Sequence, residues 1–244
     1  MSDRIFLDGA SGLPVRPEVA ARMQELLAAA IANPNGGHAE ARRARALLDG
    51  ARERIAGCFG ARPADVVFTS TASEALATAL GSVLRPDGLL VTTAGEHRGA
   101  RALAARHESM GGRVRLLPLT DEGVVDLDTI DRDRVGDLRG AVALLAHTSG
   151  ELGAVQPVGA FVDLWRAAGG GAIVLDGVQA SGAQRLELRE LGVEYLVVGS
   201  SKLEGPVGIS ALLGAPGATM RALVPGGGQE RGRRGGTEAV ILAD

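Results

Sequence analysis

Apolar residues arrive in this chain as short runs separated by longer stretches with helical spacing. Runs at 65–69, 89–93, 113–118, 141–147, 172–175, 195–198 and 209–214 predict strands. Between them, 73–84, 98–110 and 158–168 predict helices, with a further short helix at 127–132 inside a polar segment. The strand runs are continuously apolar rather than alternating, the pattern of strands covered on both faces. A mainly parallel, mixed sheet between helices follows, in an α/β chain. Ahead of it lie a short apolar lead-in at 5–8, a turn or ligand-facing loop at 9–12, and a helix over 17–31 with Pro17 in its first turn. Asn33, Pro34 and the glycines at 36 and 37 stop that helix. A second helix over 38–58 is expected to turn Ala46, Leu47, Ile55 and Phe59 inward and its arginine-rich face to solvent.

Composition narrows the function classes. The 244 residues are 45% hydrophobic but only 2% aromatic, so a core of Val, Leu, Ile and Ala is expected. A net charge of -3 with scattered arginines argues against nucleic acid as a partner. No apolar run reaches membrane-spanning length and the N-terminus has no signal-like core, so the expected compartment is the cytoplasm. Cys58 is the only cysteine, expected as a small buried residue at a helix end, and no Cys/His spacing suggests a metal site.

Candidate chemistry centres on one residue. Lys202 is the only lysine among 26 basic residues. Arginine supplies charge everywhere else, whereas a lysine amine can lose its proton and form a Schiff base with a carbonyl. In parallel sheets ligands bind beyond the carboxyl ends of the strands. Beyond 65–69 lies Thr69-Ser70-Thr71-Ala72-Ser73-Glu74-Ala75, a small-residue turn opening a helix, which is either an anion cradle or an ordinary N-cap. Glu96 and His97 follow the 89–93 run and set an imidazole at the same edge, in a structural or a chemical role. Asp176 ends a buried run and needs a partner, either a protonated ring nitrogen of a heteroaromatic cofactor or the start of a following helix. Gln179 stands three residues on, able to donate to a neighbouring oxygen. Ser200 and Ser201 flank Lys202 with hydroxyls, and a glycine and arginine loop spans 226–237. An amine, a buried carboxylate and hydroxyl-rich anion turns are the parts that pyridoxal 5'-phosphate (PLP) requires.

These motifs, with Glu151-Leu152-Gly153, Gln156-Pro157, Asp176-Gly177-Val178-Gln179-Ala180 and Gly205-Pro206, stand in the order and spacing of the cysteine desulfurases. The chain resembles that family, which belongs to the class V aminotransferases of PLP fold type I. The resemblance implies Lys202 as the cofactor-linked lysine, Asp176 at the pyridine nitrogen, Gln179 near the ring hydroxyl and His97 stacked on the ring and moving protons. Ala72, Ser73 and Ser201 are implied to hold the phosphate, and Thr237 to reach the phosphate of a second subunit in a homodimer with shared sites. It also implies an amino-acid substrate, C–S cleavage of cysteine or a related compound, and a sulfur-acceptor protein. On this resemblance, residues 1–14 form an N-terminal segment at the active site and 15–244 the PLP-binding large domain, with the family's small C-terminal domain absent. Two departures stand out: Ser149-Gly150 where the family has two asparagines, which bears on substrate recognition, and Ser201 where it has histidine, which still offers a donor to the phosphate.

Overall fold

All seven apolar runs form strands in the computed structural model, which describes residues 5–29, 31–130 and 138–244. They are β1 (Val66–Thr69), β2 (Leu89–Thr93), β3 (Arg113–Leu117), β4 (Val142–Ala146), β5 (Ile173–Asp176), β6 (Tyr195–Gly199) and β7 (Ser210–Gly214). The helices are α1 (Pro17–Ala28), α2 (Ala39–Cys58), α3 (Ala72–Val83), α4 (Arg98–Ser109), α5 (Val158–Ala167), α6 (Leu188–Leu191) and α7 (Val240–Ala243). The 127–132 helix is a single 3-10 turn at Leu127–Ile130, and positions 131 and 132 lie outside the described residues.

The strands make one sheet in the order β1-β7-β6-β5-β4-β2-β3. Strands β2 to β6 pair in parallel, and β7 runs antiparallel to both its neighbours. Successive residues point to opposite faces, and both faces are buried. Ala143, Leu145, Leu196 and Val198 join a core with α2 and α5, while Val142, Leu144, Tyr195 and Val197 join another with α3 and α4. Trp165, the only tryptophan, lies fully buried in the first core. Its ring stacks on Phe161 with centroids 5.7 Å apart, and its Nε1 donates to the Gly171 carbonyl at 2.9 Å.

Edge strand β3 departs from the two-sided expectation. Arg113 and Leu116 are exposed, because β3 is the outermost strand of the sheet and has a strand neighbour on one side only. In α2 the buried stripe is Ala41, Ala44, Leu48, Ala51, Arg52 and Ala56, so Ala46, expected inward, is exposed. Cys58, expected to be buried, is exposed as well. Each sits two residues from a stripe member, about 200° around a 3.6-residue helix, and therefore faces away from the core.

Arg52 is a larger correction to the solvated arginine face, since it is only 2% exposed. Its guanidinium stands 5.2 Å from the Phe68 ring centroid and donates to Glu230 Oε1 at 3.3 Å. Glu230 Oε2 accepts the Phe68 amide at 2.9 Å, so the 226–238 loop closes onto the sheet's outer strand. Burial raises the Glu230 carboxyl above its usual range, and the charge of Arg52 opposes that rise. Removing one member of a buried pair strands the other's charge, at about 3–5 kcal/mol. Glu230→Ala is therefore expected to lower Tm by on the order of 10 °C, read by thermal unfolding.

Candidate active site

The carboxyl ends of β1, β2, β4, β5 and β6 bring most of the anticipated residues to one edge. The register sets Ala146 of β4 beside Asp176 of β5, and Asp176 beside Val197 of β6. Beyond these ends opens a cavity of about 460 Å³ lined by Ala72, Ser73, His97, Asp176, Gln179, Ser201 and Lys202. Asp8, Ala10 and Ser11 of the N-terminal segment close another side. That segment is stitched to the lysine turn: the Leu13 amide donates to the Ser201 carbonyl at 2.9 Å, the Arg16 amide to the Glu204 carbonyl at 3.0 Å, and the Arg16 and Glu204 side chains pair.

Each side chain is placed by a local reason. Lys202 lies half-buried in the 3-10 turn Ser200–Lys202 directly after β6. Thr71 caps α3, its Oγ1 accepting the Glu74 amide at 3.1 Å, so the first amides of that helix, Ala72 and Ser73, face the cavity without intrahelical acceptors. His97 caps α4, its Nδ1 accepting the Gly99 amide at 3.1 Å, which puts the neutral ring's proton on Nε2.

Asp176 is 8% exposed, and its Oδ1 accepts the Val178 amide at 3.1 Å. Burial pushes its carboxyl above the usual range, and the Val178 amide and His97 work against that rise. Among the described residues no lysine or arginine pairs with it. A buried carboxylate facing a cavity without a cation fits a ligand bearing a protonated ring nitrogen. With the Lys202 amine and the free helix amides in the same cavity, the residues present fit PLP.

Gln179 differs from its anticipated use. Its Nε2 donates to the Ala10 carbonyl at 2.9 Å, fastening the N-terminal segment. A Cβ at position 150 would lie 2.5 Å from that nitrogen, so Gly150 leaves the room Gln179 occupies. Thr237 is not brought to the cavity; it lines a separate apolar groove with Met23, Leu27 and Val240. Two arginines of the 226–237 loop are likewise committed elsewhere, Arg231 to the Pro63 carbonyl and Arg233 to the Ala64 carbonyl.

Sequence reasoning passed over Glu96 as a buried acid. It is 3% exposed; Oε1 accepts from Thr93 Oγ1 at 2.8 Å, and Oε2 is buried without a partner. Burial pushes its carboxyl up to about 8, the Thr93 hydroxyl lowers it, and the nearby charge of Asp176 raises it. Folding raises this pKa, so the contribution is complete below the ordinary value of 4.5 and is lost as pH rises through about 8. Stability is expected to fall across that window by up to about 1.4 kcal/mol per pH unit. Glu96→Gln is expected to flatten the slope in urea unfolding curves taken at about pH 5, 6.5 and 8.

Sheet order and cavity position define a large-domain α/β fold of the PLP-dependent transferase fold type I, as the solved neighbours show. A NifS-like protein superposes with a TM-score of 0.93 at 27% identity, over 98% of this chain and 67% of its own. A structure described as SspA in complex with cysteine superposes at 0.90 and 28%, over 98% of this chain and 70% of its own. The family model for class-V aminotransferases matches residues 5–238, and the chain belongs to that family. Curated relatives include a cysteine desulfurase IscS of Dictyoglomus turgidum, 32% identical over 98% of this chain, and a cysteine desulfurase of a Frankia species, 35% identical over 96%. The chain spans 61% and 58% of the length of these two relatives. No helix among the described residues is long and apolar enough to cross a membrane.

Proposed function

We propose that this chain is the PLP-binding part of a cysteine desulfurase-like enzyme that cleaves the C–S bond of cysteine or a related amino acid. The observation that carries the reading is Asp176, buried and with no lysine or arginine partner among the described residues, in the same cavity as the only lysine. When bound, PLP supplies the electron sink for breaking bonds at an amino acid's α carbon.

The chain's own residues supply the rest. The Lys202 amine is the attachment point and, once displaced by substrate, the base placed to move a proton. The Asp176 carboxylate holds a proton on a ring nitrogen. His97 offers its Nε2–H at the cavity wall, and Ala72, Ser73 and Ser201 hold the phosphate. The N-terminal segment, tied down by Gln179, narrows the path for water. Cys58 does not line the cavity, so the sulfur acceptor in this reading is a thiolate from outside this stretch of chain. The apolar groove beside Thr237 supports a homodimer in which Thr237 reaches the partner's phosphate. The proposed compartment is the cytoplasm.

Ser149 and Gly150 favour a second reading. With no asparagine amide there to meet a substrate carboxylate, the second reading is action on an amino acid other than cysteine, in amino transfer or β-elimination. Incubation with cysteine and an excess of a reducing thiol, which first accepts the sulfur as a persulfide and then reduces it to sulfide with formation of a disulfide, is expected to give alanine and sulfide in equal amounts, with pyruvate measured alongside. Pyruvate in place of alanine would establish β-elimination. A yellow protein that turns over no amino acid would identify a cofactor-binding scaffold.

A further inference from the structure

One arginine of the 226–237 loop is bonded to the turn that opens α3. Arg234 Nε donates to Glu74 Oε1 at 2.6 Å, and its Nη2 donates to Ser70 Oγ at 2.7 Å and to Glu74 Oε2 at 3.4 Å. Glu74 Oε2 also accepts the Ser70 amide at 2.8 Å. The Arg234 and Glu74 side chains are only 19% and 18% exposed, so solvent screens the pair weakly. Arg234 itself does not line the cavity.

The electrostatics of the turn explain the arrangement. Ala72 and Ser73 present free amides to the cavity, and Glu74 is the next residue in the same helical turn. A carboxylate there complements the helix's positive end, but it repels an arriving phosphate by like charge over less than about 10 Å. A guanidinium bonded to that carboxylate cancels the repulsion. Its second bond, to Ser70, holds the shape of the turn.

We infer that Arg234 is a positioning residue for phosphate recognition, setting the anion affinity of the Ser70–Ser73 turn by neutralising Glu74 without touching the phosphate. The inference rests on the PLP reading. Its test uses PLP, unphosphorylated pyridoxal and inorganic phosphate as probes, with binding followed by absorbance for the first two and by phosphorus NMR for the third. Arg234→Gln is expected to weaken PLP and inorganic phosphate about tenfold while leaving pyridoxal unchanged. Adding Glu74→Gln to that variant is expected to restore most of the loss, because no stranded carboxylate remains.

Glu74→Gln alone is expected to tighten PLP and inorganic phosphate about threefold, since Arg234 then acts on the turn unopposed. This variant carries the test if Arg234→Gln does not fold. Equal losses for PLP and pyridoxal, no recovery in the double variant, or no change with Glu74→Gln alone would each overturn the assignment. A chain that binds inorganic phosphate with this dependence but does not bind PLP refutes the cofactor reading and leaves the assignment standing. PLP binding without this dependence does the reverse.

Discussion

Lys202→Ala protein is expected to fold normally and to carry no cofactor that borohydride can fix in place. The wild-type chain, purified with PLP, is expected to be yellow and, after reduction, to show the added mass on the one tryptic peptide that contains Lys202. The lysine sits half-buried on a short turn and its side chain enters no ion pair among the described residues, so its loss is expected to change unfolding free energy by no more than about 0.5 kcal/mol. Turnover is expected to fall by about 10⁴-fold or more, since attachment and proton transfer are lost together. Lys202→Arg is the informative companion. It keeps a cation in the cavity but not a nucleophilic amine, and is expected to fail equally. Reduction that fixes PLP to the Lys202→Ala chain would remove the lysine from the mechanism.

Asp176→Asn is expected to move stability and function in opposite directions. The native carboxyl is buried, unpaired with any lysine or arginine among the described residues and raised in pKa, so the apoprotein is least comfortable with it once it is ionised. Asparagine keeps an oxygen for the Val178 amide and removes the charge, leaving at most an unmet amide at about 1–3 kcal/mol against several for a buried ion. Urea unfolding of the apoprotein at about pH 8 is expected to show the variant at least as stable as the parent. With PLP, the variant is expected to lose about 10²-fold or more in turnover, because nothing then holds the ring nitrogen's proton. A variant that is both less stable and fully active would mean that Asp176 is an architectural residue only.

Much of this arrangement was legible in the amino-acid order. Strands buried on both faces read as unbroken apolar runs, and ligand cavities in a parallel sheet lie beyond the ends of those runs, so the gathering of Ser73, His97, Asp176 and Lys202 around one cavity is readable from position. What was hidden depends on contacts between distant segments. Nothing local in α2 distinguishes Arg52, buried against Phe68 and Glu230, from its solvated neighbours; only the returning 226–238 loop does. The same holds for Arg234, whose partner Glu74 lies 160 positions away. The commitment of Gln179 to Ala10, 169 positions away, has no sequence signature. Ala46 and Cys58 were misjudged for a simpler reason, since a stripe of small residues does not reveal its phase until something packs on it.

The seclusion of Trp165 has a practical side. A single indole, sealed beneath the sheet and stacked on Phe161, emits as one population, and its colour shifts only when the α5 layer lifts away. The molecule thus carries its own thermometer. Every variant above can be checked for integrity by indole fluorescence, excited beyond the absorption of Tyr195, with no dye attached.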